Sequence, residues 1–134
     1  MPDLGPVLVG KLPARADFVR RGPASPALDT FDELVQGALR RGSKPRSGPL
    51  YRMVYAPPGP DAVVGAVRLS HDRVGRAYPL VAGRTVPRET LDAATSASWP
   101  LRWSPLLDAA THLVEAAVRG AAVDDLDEAR IRMP

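Results

Sequence analysis

The sequence contains no cysteine, which excludes structural disulfides, a thiolate nucleophile and cysteine-ligated metals. Aromatic residues make up only 5% of the chain, so few rings are available to stack on nucleic-acid bases. The longest stretch without a charged residue is Ala93–Leu101, far short of the roughly 20 apolar residues that cross a bilayer. The N-terminus also lacks the basic and then apolar pattern of a signal peptide. We therefore expect a cytoplasmic protein that does not insert into a membrane.

The composition is that of one folded domain: 134 residues, of which 45% are hydrophobic and 25% are charged. The charge is unevenly placed, because residues 1–88 contain 14 basic and 7 acidic residues, whereas residues 89–134 contain 4 basic and 8 acidic ones. A basic region attracts acidic partners through a field that salt screens. No zinc-finger spacing or aromatic RNA-binding run accompanies it, so the excess does not indicate a specific nucleic-acid binder.

Runs of β-branched and apolar residues predict four strands. The first covers residues 4–12, and a loop is predicted from 13 to 24. Two runs at 50–56 and 62–69, joined by a Pro/Gly-rich loop, predict a hairpin, and 78–86 predicts a further strand. Consecutive strands with short connections favour an antiparallel sheet.

Serine followed by proline marks two predicted helix starts, because serine caps a first turn and proline fits the first helical position. Ser25-Pro26 begins a helix that is predicted to end at Arg40-Arg41-Gly42, and Ser104-Pro105 begins one that ends at Arg119-Gly120. A short acidic helix is predicted over 123–131. The predicted apolar face of the first helix consists of Leu28, Phe31, Leu34, Val35, Ala38 and Leu39. The element order predicts an α+β fold rather than a doubly wound parallel sheet.

The first candidate functional segment, the first motif segment, covers residues 10–19 at the end of the first strand. It contains Lys11, Arg15, Asp17 and Phe18. Its single glycine precedes the lysine, so it is not a phosphate-binding P-loop. Its cations could clamp a carboxylate or another anion on a partner. Alternatively, Asp17 pairs with Arg15 or caps a turn while Phe18 fills the core.

The second candidate segment, the second motif segment, covers residues 70–80 between two predicted strands. Its candidate residues are Ser70, Asp72, Arg73, Gly75 and Arg76. Ser70, His71 and Asp72 have the residue types of a hydrolase triad, but neighbours in an extended chain point to alternate sides and cannot align. We expect instead a turn in which Asp72 accepts backbone N–H groups and Gly75 has a positive φ.

Together the two segments resemble the signature of the TagF/ImpM family of type VI secretion-associated proteins. The family patterns are close to Gly-Lys-Leu-Pro-x-x-Gly-Asp-Phe-Val and Pro-Ser-x-Asp-Arg-x-Gly-Arg-x-Phe-Pro-Leu. The matching residues are Gly10, Lys11, Leu12, Pro13, Asp17, Phe18 and Val19, then Ser70, Asp72, Arg73, Gly75, Arg76, Pro79 and Leu80. Ala16 replaces a family glycine, Leu69 a proline and Tyr78 a phenylalanine, and the region 42–49 is shorter than in the family.

The resemblance implies a longin- or profilin-like layered domain over residues 1–120, followed by a short acidic helix or tail over 121–134. It further implies a non-catalytic regulator, without cofactor or metal, that binds a cytoplasmic component such as an FHA-domain scaffold and represses assembly of the secretion machine. Some relatives are fused to a phosphatase, and we expect none here. A phospho-ligand or nucleotide sensor that uses the same arginines is the alternative.

The role of the two motif segments is open at this point. Both follow strand ends, and if those strands are neighbours in the sheet, the two turns meet at one edge. The resulting Arg/Asp network is then either a partner-binding surface or a structural clasp. His71 and His112 lie far apart in the sequence, without the spacing of a metal site.

Overall fold

The computed structural model describes residues 4–41, 48–92 and 98–134. Its strands are β1 (Pro6–Gly10), β2 (Val19–Arg21), β3 (Tyr51–Tyr55), β4 (Asp61–His71) and β5 (Ala77–Pro87). Its helices are α1 (Pro26–Arg41), α2 (Arg88–Asp92), α3 (Trp99–Arg102), α4 (Ser104–Val118) and α5 (Val123–Ile131). The predicted α+β class is therefore confirmed. Among the described residues, no helix combines the length and the hydrophobicity needed to cross a bilayer.

The strands form one antiparallel sheet in the order β2-β1-β5-β4-β3. At its centre, β4 and β5 are paired along their whole length, from Asp61 opposite Pro87 to His71 opposite Ala77. This long hairpin extends to the second motif segment at its closed end. β1 pairs with the other side of β5, so the first motif segment leaves the sheet beside that closed end.

The sheet separates two hydrophobic clusters, because side chains alternate between its two faces along each strand. In β4, Val64 belongs to the larger cluster and its neighbour Val63 to the smaller one. The larger cluster joins the sheet to α4 and α5. Its buried helix residues are Leu106, Leu107, Ala110, Leu113, Val114, Ala117, Val123 and Leu126.

The smaller cluster lies under the N-terminal half of α1, where Ala27 and Leu28 are buried. None of the residues 31–40 of that helix is fully buried. Leu34 is 58% exposed and Ala38 is exposed as well, so the predicted apolar face of α1 is wrong at these two positions. The C-terminal half of α1 is thus only partly covered by the sheet.

A tertiary contact completes the first turn of α1. As predicted, the hydroxyl of Ser25 caps the helix, accepting the Leu28 N–H over 3.1 Å. That hydroxyl in turn donates to Asp61 Oδ2 over 2.6 Å, and Asp61 Oδ1 accepts the Ala27 N–H over 3.1 Å. Asp61, predicted to lie in the hairpin loop, is instead the buried first residue of β4. It anchors the start of α1 to the start of that strand.

Three other predictions need correction. The predicted loop 13–24 contains β2, a three-residue edge strand that pairs with β1 and is too short to produce an alternating pattern. The helix predicted to begin at Ser104-Pro105 is α4, and Ser104 does not cap it. Ser104 is its first residue, and Trp103 stands at the cap position without a side-chain hydrogen bond. Ser70 and His71 belong to β4 rather than to the turn. The predicted end of α1 at Gly42 and the shortened region at 42–47 lie outside the described residues.

We expect Leu126→Ala to lower the free energy of unfolding by about 2 kcal/mol, measured by urea denaturation. Leu126 of α5 is 2% exposed and packs in the larger cluster, so truncation leaves a cavity in the common core. Ile131→Ala in the same helix is the control, because Ile131 is 62% exposed and its loss should cost less than about 0.5 kcal/mol. A cost of less than about 0.5 kcal/mol for Leu126→Ala as well would mean that the packing of α5 does not contribute to the stability of the domain.

Candidate functional site

The two motif segments lie side by side and are hydrogen-bonded to each other. The backbone N–H of Arg73 donates to the carbonyl oxygen of Arg15 over 2.7 Å. The Nη2 of Arg76 donates to the carbonyl oxygen of Ala16, also over 2.7 Å. Because β1 and β5 are neighbours in the sheet, these residues from distant parts of the sequence come together at one edge. The two turns therefore meet as predicted, but not because the strands they follow are neighbours. The first turn follows β1 and the second follows β4, and β5 lies between these two strands in the sheet.

Asp72 is the residue around which this contact is organised, and its side chain has no exposed surface. Its Oδ1 accepts hydrogen bonds from the backbone N–H groups of Val74 over 3.0 Å and Arg76 over 2.9 Å. Its Oδ2 accepts a bond from Nε of Arg76 over 2.7 Å and lies 3.9 Å from Nζ of Lys11. A single carboxylate therefore holds the backbone of the turn and the arginine that reaches the other segment.

Burial by itself would raise the pKa of Asp72. The backbone and side-chain hydrogen bonds from Arg76, its positive charge and the bond from Val74 outweigh burial and hold the pKa of Asp72 below the ordinary value of 3.8. The side chain is therefore ionised at neutral pH and acts only as an acceptor. The predicted turn is confirmed, and Gly75 within it has a φ of 95°, which a residue with a side chain rarely adopts.

We call Asp72 and Arg76, with their contacts to the backbone of the two segments, the clasp. Lys11 lies beside the clasp at 19% side-chain exposure. Ala16, which replaces a family glycine, contributes its carbonyl oxygen, and the described residues include no residue other than glycine with a positive φ. The Ala16 backbone is thus in an ordinary conformation.

Other candidate residues are exposed beside the clasp. In the described part of the chain, the side chains of Arg15, Asp17 and Arg73 form no hydrogen bond or ion pair. Phe18 is 42% exposed, so the alternative in which it fills the core and Asp17 pairs with Arg15 is wrong. Val74, at 69% exposure, adds an apolar side chain that the sequence did not single out. We call Arg15, Asp17, Phe18, Arg73 and Val74 the motif surface.

Phe18 packs against the end of β5 rather than into the interior. Its ring meets Tyr78 edge to face, with centroids 5.3 Å apart, and Lys11 Nζ lies 5.8 Å from the centre of the Tyr78 ring. The Tyr78 hydroxyl donates to Asp32 of α1. The tyrosine that replaces the family phenylalanine thus connects β5 to α1 by a hydrogen bond that phenylalanine cannot make.

A groove of about 500 Å³ opens between the C-terminal half of α1, the C-terminal end of β1 and the N-terminal end of β5. Its lining residues are Lys11, Phe18, Asp32, Gln36, Leu39, Arg40, Ala77 and Tyr78. The contribution of α1 to this groove was not predicted from the sequence. The available signal was the family position of Tyr78, because a buried tyrosine hydroxyl needs a polar partner.

Ser70 and its neighbours do not form a catalytic triad. Ser70 and Asp72 are buried, whereas His71 between them is exposed, as alternation along a strand requires. The Ser70 hydroxyl has no hydrogen-bond partner among the described residues, and the Asp72 carboxylate is occupied by the turn and Arg76. Within residues 4–41, 48–92 and 98–134, no group of three or more His, Asp or Glu residues is arranged to hold a metal ion.

The fold is similar to a solved structure, the crystal structure of PA0076 from Pseudomonas aeruginosa PAO1, with a TM-score of 0.71 at 24% sequence identity. The match covers 97% of this chain and 63% of the other, so this chain spans less than two thirds of that protein's length. None of the curated proteins is a significant sequence match. The model of the TagF N-terminal domain, described as type VI secretion system-associated, matches residues 7–131. The chain, with both motif segments inside that match, therefore belongs to the TagF N-terminal domain family of type VI secretion-associated proteins.

Proposed function

We propose that this domain is a non-catalytic regulator of type VI secretion that acts by binding a protein component of the apparatus through the motif surface. The component that the family resemblance suggests is an FHA-domain scaffold in the cytoplasm, and the suggested effect is repression of assembly. The proposal assigns the clasp a structural role and the motif surface the binding role. The sequence left open whether the two motif segments form a partner-binding surface or a structural clasp, and the proposal assigns some candidate residues to each.

One observation carries the proposal: the clasp joins two segments that are distant in the sequence, yet the charged side chains of the motif surface pair with no described residue. Arg15, Asp17 and Arg73 are exposed on a backbone that is held by hydrogen bonds on both sides. Side chains on a fixed backbone lose less conformational entropy when they bind a partner. Arginine and exposed aromatic residues are enriched among the residues that dominate interface energies, which also favours Phe18 as a contact.

We expect the charge-reversal pair Arg15→Glu and Arg73→Glu to weaken binding of an FHA-domain scaffold of the type VI apparatus from the same organism by at least about tenfold, since like charges then replace charge complementarity. The melting temperature should change by less than about 2 °C, because neither side chain has an intramolecular partner among the described residues. Binding is measured by titration calorimetry with the purified proteins, and melting by circular dichroism.

The matched control for this pair is Arg119→Glu with Arg132→Glu, two exposed arginines that follow α4 and α5 outside both motif segments, so that the net charge changes as much as in the test pair. It should leave binding unchanged, which separates a local effect from a general change in net charge. Equal weakening by the control, or no weakening by the pair, would contradict the assignment of the motif surface. Failure of the scaffold to bind even the unmodified chain would contradict the choice of partner.

The second candidate function is a sensor of a phosphorylated ligand or nucleotide, and the unpaired guanidinium groups of Arg15 and Arg73 favour it. A thermal-shift experiment with ATP, ADP and a phosphothreonine peptide distinguishes the two. A clear rise in melting temperature that is lost in the Arg15/Arg73 variant would favour the sensor. Unchanged melting with every ligand would exclude it.

A further inference from the structure

The groove between α1, β1 and β5 contains hydrogen-bond donors that are free, whereas its carboxylate acceptors are already occupied. Asp32, its acidic residue, is already occupied: Oδ1 accepts from the Tyr78 hydroxyl and Oδ2 accepts from Nε2 of Gln36 over 2.9 Å. Arg40 is exposed and has no hydrogen bond or ion pair with any described residue. The groove therefore presents free donors, while its carboxylate acceptors are in use.

Lys11 adds a second cation to the groove wall. Its Nζ lies 3.9 Å from the Asp72 carboxylate, beyond hydrogen-bonding distance, and that carboxylate is already satisfied by the backbone of the turn and by Arg76. The Lys11 ammonium group thus makes an ion pair with Asp72 and a contact with the Tyr78 ring, but no hydrogen bond to a described residue, so it retains donor capacity toward the groove.

The remaining lining is apolar and in part aromatic. Leu39 of α1 is half-buried, and the exposed side of Phe18 forms the rim toward the motif surface. The Phe18 ring is held edge-on against Tyr78, so its position is defined before a ligand arrives. A rigid aromatic residue offers contact area at a small cost in conformational entropy.

The charge around the groove and the clasp is also unbalanced. Five cations lie there, namely Lys11, Arg15, Arg40, Arg73 and Arg76. They face three carboxylates, namely Asp17, Asp32 and Asp72, of which the last two are already engaged. A ligand that complements this site brings negative charge together with apolar surface.

We propose that the groove receives an acidic segment of a protein partner, in which a carboxylate meets Arg40 and Lys11 while an adjacent apolar side chain packs on Phe18 and Leu39. This deepens the proposed function and rests on it, because it names the chemistry of the partner segment that contacts the same edge of the domain. Phe18 belongs to both the motif surface and the groove, so a partner that covers the one places its side chains at the other.

The experiment is a selection from a phage-displayed library of random 12-residue peptides on the immobilised chain. We expect the enriched peptides to contain Asp or Glu within two or three positions of Leu, Ile, Phe or Met. Synthetic versions should bind Arg40→Gln at least about fivefold more weakly and Phe18→Ala about tenfold more weakly. Arg132→Glu, whose site lies away from the groove, should bind them as the unmodified chain does.

Several results would overturn the proposal: no enrichment, enriched peptides that are neutral or basic, or equal binding to the groove variants. Release of the peptides by millimolar ATP or inorganic phosphate, with stabilisation of the chain by those ligands alone, would indicate a small anionic ligand instead. Melting temperatures of both groove variants are measured first. Glu33→Gln, at an exposed position of α1 that does not line the groove, should bind the peptides as the unmodified chain does; weaker binding by this variant would mean that altering α1 alone disturbs binding and would contradict the groove assignment.

The outcome is distinguishable from failure of the proposed function. If the FHA-domain scaffold binds the unmodified chain and the groove variants equally well, the scaffold assignment stands and the groove proposal is wrong. If the scaffold does not bind at all but acidic peptides bind the groove, the groove proposal stands. The FHA-domain scaffold is then the wrong partner.

Discussion

Replacing Asp72 by alanine is expected to lower the melting temperature by about 5–10 °C, because several donors lose their shared acceptor at once. The backbone N–H groups of Val74 and Arg76 and the Nε of Arg76 all donate to this carboxylate. With it gone, Arg76 also loses the support that directs its Nη2 to the carbonyl oxygen of Ala16. Melting is followed by circular dichroism at neutral pH. Binding of the FHA-domain scaffold is measured at a temperature where the variant remains folded.

Asp17→Ala is the matched control, since Asp17 is an exposed carboxylate of the neighbouring segment without a described partner. Its melting temperature should stay within about 2 °C of the unmodified chain. A comparable loss in both variants would mean that net charge, rather than the clasp, controls stability. An unchanged melting temperature for Asp72→Ala would refute the structural role of the clasp.

The loss of folding stability at acidic pH provides an independent test of the same contact. The pKa of Asp72 is lower in the folded chain than its ordinary value of 3.8, so folding favours the ionised form. This contribution is complete above that value and is lost as the pH falls through the folded-state pKa. The unmodified chain should therefore lose stability more steeply below about pH 4 than Asp72→Asn, which has no charge to lose. Parallel curves for the two proteins would contradict this assignment.

We expect Asp61→Ala to lower the free energy of unfolding by about 3 kcal/mol, measured by urea denaturation. Asp61 is 1% exposed and accepts bonds from the Ser25 hydroxyl and the Ala27 N–H, so its removal leaves two buried donors without an acceptor. The loss also disconnects the first turn of α1 from the sheet. Because α1 forms one wall of the groove, peptide binding should weaken in parallel.

Two further variants bracket this effect. Ser25→Ala removes the cap hydroxyl but leaves the Asp61 contact with Ala27, and should cost about 1–2 kcal/mol. Asp108→Ala removes an exposed carboxylate that pairs with Arg52 over 2.7 Å, and should cost less than about 1 kcal/mol. If Asp61→Ala costs no more than Asp108→Ala, the helix does not depend on this buried acceptor.

The helices were predictable where local signals were strong. Ser25-Pro26 was correctly predicted as the start of α1, because a side-chain cap and a proline at the first position depend on adjacent residues alone. Ser104-Pro105 gave the same local signal, yet a preceding short helix places Trp103 at the cap position and leaves Ser104 inside the helix. The difference arises because neighbouring structure, not the dipeptide, decides which residue ends the turn.

The sequence allowed prediction of which residues belong to the site, but not of which side chains would be paired and which would remain without a partner. Asp72 and Gly75 were correctly predicted to shape a turn, since an Asx-type turn involves neighbours in sequence. The division between the clasp and the motif surface could not be predicted. Arg73 and Arg76 are both exposed arginines in one turn, but the Arg76 side chain bonds to Asp72 and to the carbonyl oxygen of Ala16, whereas the Arg73 side chain pairs with no described residue.

The roles of Asp61 and Asp32 depended on the tertiary structure for the same reason. Each carboxylate acts on a group more than thirty positions away in the sequence, on Ser25 in one case and on Tyr78 in the other. No periodicity or spacing in the sequence encodes such a pair, because the contact exists only after α1 packs on the sheet.

The absence of cysteine excluded disulfides, a thiolate nucleophile and cysteine-ligated metals from the amino-acid sequence alone, and the small number of aromatic residues argued against base stacking. The two motif segments identified the family, because their residue order is local information. The tertiary structure decided which of the many arginines are free to bind. Antiparallel pairing of β1 with β5 brings the two segments together, and Asp72 then binds Arg76, while the side chains of Arg15 and Arg73 pair with no residue that the structure describes. The basic residues of the two motif segments are far apart in the sequence, and they form one surface only because β1 pairs with β5.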